Sequence, residues 1–92
     1  MIQSQEGVAR LEGPVTLDST SELLTQLKPL IKSGLKGVTF REISEVDSAA
    51  LGLILSCRRE AAKHGRTLKF TDLPANLIAL AALYGVSDLI SQ

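Results

Sequence analysis

The residues best placed to do chemistry are an acid and a hydroxyl, Asp47 and Ser48, which stand between a predicted strand and a predicted helix. Residues 38–40 read as a buried strand, and residues 48–64 have the apolar spacing of a helix. A hydroxyl at a helix N-terminus lies beside free backbone N–H groups, which favour an anion or a phosphate. Asp and Ser are also preferred helix caps. The pair therefore predicts a binding or modification site, or simply a cap.

Other reactive side chains do not converge on this pair. The single cysteine, Cys57, lies on an apolar helical stripe, and the single histidine, His64, stands at the helix end two turns away. This arrangement predicts neither a thiol dyad nor a zinc site. Ser48 has no basic partner to activate it, and no glycine-rich phosphate loop with lysine is present. We therefore predict that the protein is not an enzyme and holds no metal or cofactor.

Composition narrows the class of protein further. The chain has 92 residues, zero net charge and 45% hydrophobic residues, which predicts one domain over residues 1–92. Without a basic surplus we expect neither nucleic-acid binding nor recruitment to anionic lipid. The longest apolar run, residues 49–55, is too short for membrane insertion. A lone cysteine and no secretory signal predict a cytoplasmic location.

Strand and helix patterns alternate in the first half of the chain. Residues 8–12 alternate as a half-buried strand, which Gly13-Pro14 is expected to end, and residues 15–17 can add a second short strand. Ser19 and Glu22 form a predicted capping box at the start of a helix. Its buried stripe ends at Ser33-Gly34. Pro29 is expected to kink this helix or to end its regular part.

The second half repeats the pattern. A polar loop is predicted at residues 41–45, then a helix from about Ser48 to His64 that Gly65 ends. A strand at residues 67–71 precedes a third helix, and residues 86–90 can make a last helical turn. Repeated strand–helix units of this length predict an α/β fold with a parallel or mixed sheet.

The predicted second helix has two apolar sides. Its core stripe is Ala50, Ile54, Cys57 and Ala61. The other side, which an ordinary amphipathic helix would make polar, carries Ser48, Leu51, Gly52, Leu55 and Arg59. This second side is either a partner-binding ridge or a surface wedged beneath a neighbouring helix. Periodicity alone favours neither.

Two segments of the chain resemble the STAS family, which includes bacterial anti-sigma-factor antagonists and transporter-linked domains. Val46-Asp47-Ser48-Ala49-Ala50-Leu51-Gly52 is similar to the family motif that opens a helix after a strand. Leu11-Glu12-Gly13-Pro14-Val15 resembles its other recurrent segment. The resemblance implies a STAS-type mixed sheet of four to five strands packed against three to four helices.

The end of the chain resembles one branch of that family. Residues 77–86 are similar to the C-terminal helix of the small STAS subunit of Mla-type ABC transporters, which move phospholipid to maintain outer-membrane asymmetry. This resemblance implies a non-catalytic cytoplasmic subunit that binds the transporter ATPase and so lies peripheral to the inner membrane. The resemblance places Ser48 at the ATPase contact, with Leu51, Gly52 and Leu55 beside it. Together with helical geometry and the enrichment of arginine at interfaces, it predicts a partner surface of Asp47, Ser48, Leu51, Gly52, Leu55 and Arg59.

The second interpretation is an anti-sigma-factor antagonist that binds an anti-sigma factor with serine kinase activity and is switched by phosphorylation of Ser48. Many phosphorylated antagonists have Asp-Leu-Ser-Gly where this chain has Thr39-Phe40-Arg41-Glu42. The missing aspartate weakens the phosphoswitch and favours the transporter interpretation. Both interpretations place the contact at the start of the second helix.

Overall fold

Strands and helices alternate along residues 2–90, which are the residues that the computed structural model describes. The predicted domain, residues 1–92, therefore extends past the described part at both ends. Within residues 2–90 the elements are β1 (Ile2–Gln5), β2 (Val8–Val15), α1 (Thr20–Lys32), β3 (Gly37–Val46), α2 (Ala49–Lys63), β4 (Lys69–Thr71), α3 (Ala75–Leu83) and α4 (Ser87–Ile90).

The strands form one mixed sheet in the order β1-β2-β3-β4. β1 is antiparallel to β2, whereas β2, β3 and β4 are parallel to one another. The prediction of an α/β fold with a mixed sheet is confirmed. β1 was not predicted, because an edge strand that half-buries only Ile2 shows no apolar alternation.

The first predicted strand is longer than the sequence indicated. β2 continues through Gly13 and Pro14 to Val15, so the expected break at this pair is wrong. β1 pairs with β2 only as far as Leu11. Within the described range β1 begins at Ile2, and Pro14 lies beyond its partner Leu11, at an edge position where a proline is tolerated. The pairing with β3 shifts register beside Gly13, whose φ of +86° suits a glycine at an irregularity.

The predicted polar loop at residues 41–45 is also wrong, because these residues belong to β3. Glu42 pairs with Glu12, and the ladder continues to Val46 opposite Val15. Backbone pairing holds this end of β3 while most of its side chains lie in solvent, so the apolar pattern that marks a strand is missing. β3 therefore leads directly to Asp47 and the start of α2.

One face of the sheet is buried beneath the helices. On this face lie Ala9, Leu11, Val38, Phe40 and Phe70, all at most 3% exposed. The intervening residues of these strands face away from the helices, as the two-residue period of a strand requires. On the buried face α2 is the central helix, with contacts to α1 and to α3 and α4. The positions of these neighbouring helices determine which side of α2 faces solvent.

α1 begins at the predicted residue but not through the predicted hydrogen bonds. Ser19 occupies the N-cap position without a side-chain cap hydrogen bond, so the capping box is wrong. Its Oγ accepts from Thr16 N–H at 3.0 Å and donates to the Pro14 carbonyl at 2.9 Å. Pro29 does not end the helix, which continues to Lys32. Buried Leu27 and Ile31 hold this turn against the core, and they offset the hydrogen bond that proline removes.

Candidate functional site

The candidate site lies where β3 passes into α2. The predicted helix from Ser48 to His64 is confirmed almost to the residue, since α2 is Ala49–Lys63 with Ser48 and His64 as its flanking caps. Gly65 follows at φ +68°, the left-handed conformation expected of a helix stop. Asp47 and Ser48 therefore stand at the helix N-terminus, as the sequence predicts.

Asp47 supplies the side-chain cap of α2. Its Oδ1 accepts the backbone N–H of Ala49 at 2.8 Å. Its Oδ2 accepts the backbone N–H of Leu17 at 3.0 Å, across a separation of 30 residues in sequence. One carboxylate thus fixes both the start of the helix and the loop that joins β2 to α1. A negative charge here is also favoured by the helix dipole.

The Ser48 side chain does not cap α2 in this way. Ser48 is exposed, and its side chain makes no cap hydrogen bond although it occupies the N-cap position. The choice that the sequence left open between Asp47 and Ser48 as the capping side chain therefore falls to Asp47. The Ser48 hydroxyl is left facing solvent at a helix N-terminus, where it is accessible to a partner or a modifying enzyme.

The exposed side of α2 is narrower than predicted. Ser48, Gly52, Leu55 and Arg59 are all exposed and lie along one line of the helix, and we call these four residues the α2 stripe. Leu55 is 36% exposed, a large apolar side chain in a line that otherwise faces water. Arg59 makes no ion pair with any residue in the described range.

Leu51 does not belong to this line, because only 7% of it is exposed and it packs in the core. Its predicted place on the exposed side is wrong. α2 has helical neighbours on both flanks, so its buried arc is wider than the roughly 100° stripe of an ordinary surface helix. The alternative of a surface wedged beneath a neighbouring helix therefore holds for Leu51 but not for the α2 stripe.

Within residues 2–90, nothing in the fold requires position 52 to be a glycine. It lies inside α2, where a glycine costs about 0.5–1 kcal/mol relative to alanine. Its φ is not positive, and apart from neighbours in its own helix, a Cβ placed on it would meet no atom of residues 2–90 within 4 Å. Within that range neither backbone conformation nor packing requires glycine at this position. A bare backbone of this kind allows another molecule to approach closely.

The sequence did not point to Leu17. This residue is 77% exposed in the loop after β2, and its backbone is tied to Asp47 at the start of α2. Val15-Thr16-Leu17 alternates like a strand, so the local pattern suggested a regular element. No local signal marks a contact between residues that far apart in sequence.

A second group of exposed apolar side chains lies on and just after α3. Ile78 is 50% exposed, Leu83 76% and Tyr84 58%, whereas Leu77 and Ala81 pack in the core. Helical spacing predicts that Leu77, Leu80, Ala81 and Tyr84 share one face of this helix, of which Leu77 and Ala81 are buried, Leu80 is half-buried and Tyr84 lies mostly in water. These residues are far along the chain from the α2 stripe and provide matched control positions.

The two remaining reactive side chains lie apart from Ser48. Cys57 is fully buried on the core stripe, and burial, reinforced by the nearby charge of Glu60, raises the pKa of its thiol to about 12. His64 Nε2 lies 3.3 Å from Glu60 Oε2 on the helix surface. Partial burial opposes ionisation of Glu60, but the His64 hydrogen bond and the charges of Lys63 and Lys28 lower its pKa. Because the pKa of the Cys57 thiol is raised to about 12, this thiol is protonated at neutral pH, which suits a core residue rather than a nucleophile.

Among residues 2–90, no group of three or more His, Cys, Asp or Glu side chains is arranged to hold a metal ion. Over the same range, no helix is both long enough and apolar enough to cross a bilayer.

Comparison with known families identifies the sequence over almost its whole length. A family model described as "Mlab, STAS domain" matches residues 1–91. Comparison with curated proteins gives no match.

Solved structures of the same fold are distant in sequence. The anti-sigma factor antagonist SpoIIAA in its unphosphorylated form superposes with a TM-score of 0.72 at 17% identity, covering 97% of this chain and 83% of that one. A putative anti-sigma factor antagonist from Thermotoga maritima gives 0.75 at 10% identity, covering 99% and 82%. The phosphorylated SpoIIAA of Bacillus gives 0.68 at 16% identity, covering 97% and 86%. At these identities the likeness establishes the fold, a four-stranded mixed sheet with helices on one face.

Proposed function

Since this chain belongs to the STAS family, whose domains are non-catalytic protein-interaction modules, we propose that it is an accessory subunit of an ABC transporter. In this proposal it binds the transporter's ATPase subunit through the α2 stripe and supports that subunit's activity. The transporter moves phospholipid and so maintains outer-membrane asymmetry. The subunit is cytoplasmic and lies at the inner membrane only through the complex.

The observation that carries the proposal is Gly52 at the centre of the α2 stripe. A glycine that weakens its own helix, and that nothing inside the chain requires, is explained when a partner packs closely against the backbone there. Leu55 beside it supplies apolar contact area, and Arg59, which forms no ion pair within residues 2–90, suits the rim of an interface. The matching family model is described as "Mlab, STAS domain", which supports an ABC ATPase as the partner.

The exposed hydroxyl of Ser48 favours a second candidate, an anti-sigma-factor antagonist regulated by phosphorylation. Two of the similar structures are the unphosphorylated and phosphorylated forms of such an antagonist. A phosphate on Ser48 would add about two negative charges beside Asp47 while gaining from the helix N-terminus. It would repel an acidic or apolar partner surface without disturbing the core. The partner would then be a kinase-type anti-sigma factor rather than an ATPase.

The choice between the two partners is tested by binding of purified proteins. The ATPase subunit and the anti-sigma factor to be tested are those encoded nearest to this chain in its own genome. We expect the ATPase subunit to bind the wild-type chain and Leu55→Asp to weaken that binding by at least about tenfold, since it places a charge in an apolar contact. Leu83→Asp is the matched control, because Leu83 is an equally apolar, exposed side chain on α3.

Three results would decide the matter. Binding to the ATPase that only Leu55→Asp weakens supports the transporter proposal. Binding to the anti-sigma factor, lost when Ser48 is phosphorylated, would replace that proposal with the second candidate. Equal weakening by Leu55→Asp and Leu83→Asp would mean that the α2 stripe is not the interface.

A further inference from the structure

The β2–α1 loop carries an apolar side chain next to the start of the α2 stripe. Leu17, 77% exposed, is held there through its backbone by Asp47. We propose that Leu17 is a further anchor for the ATPase subunit and that Asp47 positions it, an inference that rests on the proposed function.

Asp47 joins the two parts of this surface. Its two carboxylate oxygens accept the N–H groups of Leu17 and Ala49, the first residue of α2. The loop and the helix N-terminus therefore cannot move apart without breaking a charge-assisted hydrogen bond. Because both oxygens are already engaged inside the chain, the predicted partner-binding role of Asp47 becomes an indirect one, exerted through Leu17 and the helix start.

The loop is also fixed on its other side. Thr16 N–H donates to Ser19 Oγ at 3.0 Å, and the Thr16 carbonyl accepts the N–H groups of Ser19 and Thr20 at 2.9 and 3.0 Å. Leu17 thus projects from a loop whose neighbouring residues are anchored both to α1 and to α2. A side chain presented in this way loses little backbone freedom when it is bound, so its burial contributes more of its apolar area to affinity.

A single exposed leucine is ordinary on a protein surface. Leu17 differs from Leu83 in its placement rather than in its exposure, which is 77% against 76%. The backbone of Leu17 lies beside Asp47, the residue before Ser48, so a partner that contacts the start of the α2 stripe also lies near the β2–α1 loop. The occupant that we propose is an apolar surface of the ATPase subunit that contacts Leu17 as well as Leu55.

The test compares three leucine-to-serine variants in binding to the purified ATPase subunit. We expect Leu17→Ser and Leu55→Ser each to raise the Kd about tenfold or more, as removal of an interface anchor does, and Leu83→Ser to leave it unchanged. Leu17→Ser and Leu83→Ser should keep the wild-type unfolding midpoint within a few degrees, since these side chains are largely exposed, and the midpoint of Leu55→Ser is measured alongside because Leu55 is only 36% exposed.

The outcomes separate this inference from the proposed function. If Leu55→Ser weakens binding and Leu17→Ser does not, the ATPase contact stands and the Leu17 anchor is overturned. If neither variant weakens binding, the ATPase remains the partner but both parts of the surface are wrong. If the wild-type chain does not bind the ATPase subunit, the proposed function and this inference fail together.

The positioning role of Asp47 is tested by a double-mutant cycle in the same assay. Asp47→Asn keeps the shape but leaves one oxygen for two N–H donors, so it releases either the loop or the helix start. We expect Asp47→Asn to raise the Kd about tenfold in the wild-type chain. Its effect in Leu17→Ser should be much smaller, because each of the two changes removes the same contact, that of Leu17 with the ATPase subunit. Equal effects in the two backgrounds, or no effect in either, would overturn the positioning role.

Discussion

Gly52 provides a prediction in which stability and binding move in opposite directions. Replacing it with alanine removes the conformational cost of glycine inside a helix, about 1 kcal/mol. Apart from neighbours in its own helix, the new Cβ meets no atom of residues 2–90 within 4 Å, so no clash in that range offsets this gain. For a chain of 92 residues, 1 kcal/mol corresponds to a rise of about 4–8 °C in the unfolding midpoint.

The same substitution should weaken binding if a partner packs against the bare backbone. Gly52→Gln extends the test, because glutamine is also a good helix former and its longer side chain cannot be accommodated by a small shift. We expect both variants to be more stable than wild type, with the Kd for the ATPase subunit rising modestly for alanine and by more than about tenfold for glutamine.

Calorimetry and a binding titration measure the two effects on the same samples. Ala79→Gln on α3 is the control, since it places the same side chain at an exposed helical position away from the α2 stripe. Wild-type affinity for Gly52→Gln would refute the reasoning that a partner requires glycine there. A fall in the midpoint for Gly52→Ala would refute the structural premise that nothing in the chain opposes a side chain.

Four further predictions concern α2 and its N-cap residue. Leu51→Ala should lower the free energy of unfolding by about 2–5 kcal/mol because Leu51 is buried, whereas Leu55→Ala should lower it by clearly less because Leu55 is 36% exposed; urea denaturation distinguishes them, and equal costs would contradict the assigned faces. Cys57 should resist a thiol reagent at pH 8 until the chain unfolds, since the pKa of its thiol is raised to about 12; rapid reaction of the native protein would contradict its burial. Above pH 9.0, the ordinary pKa of the thiol, the unfolded chain binds fewer protons than the folded one, so the contribution of Cys57 to stability should fall as the pH rises toward 12 in a comparison with Cys57→Ala. Ser48→Glu should weaken partner binding while Ser48→Ala preserves it, because only the first adds charge at the contact; tight binding by Ser48→Glu would remove the basis for a phosphoswitch.

Local signals account for what the sequence predicted well. α2 was placed almost to the residue because its start carries Asp47 and Ser48, residue types that are preferred at helix caps, and its end is followed by Gly65. The alternation of strands and helices, together with the STAS motif, predicted the mixed α/β sheet. These features depend on residues adjacent in the chain, which is what a sequence pattern can report.

The errors arise where tertiary contacts override local pattern. Residues 41–45 are polar yet remain in β3, because their backbone pairs with β2 whatever the side chains are. Leu51 lies at the edge of the helical period but is buried, because α2 has neighbours on both flanks. Helical periodicity treats a helix as packing on one surface, so it does not predict the second flank.

The candidate site was also predicted only in part, because some of its residues are related by helical spacing and others by tertiary contacts. Ser48, Gly52, Leu55 and Arg59 could be grouped from their spacing, and all four are exposed along one line of α2. The contribution of the β2–α1 loop could not, since the hydrogen bond from Leu17 to Asp47 joins residues 30 positions apart. The position of that loop follows from the parallel pairing of β2 with β3, which places both strand ends at the same edge of the sheet.

The central claim, that the α2 stripe binds the ATPase subunit of an ABC transporter, is tested most directly by site-specific photo-crosslinking in cells. A photoreactive side chain replaces Leu55 in one chain and Leu83 in another, since both side chains are exposed. We predict a crosslink to the ATPase subunit from position 55 and none from position 83. A crosslink from position 83 alone, or from neither position while the chain copurifies with the transporter, would contradict the account.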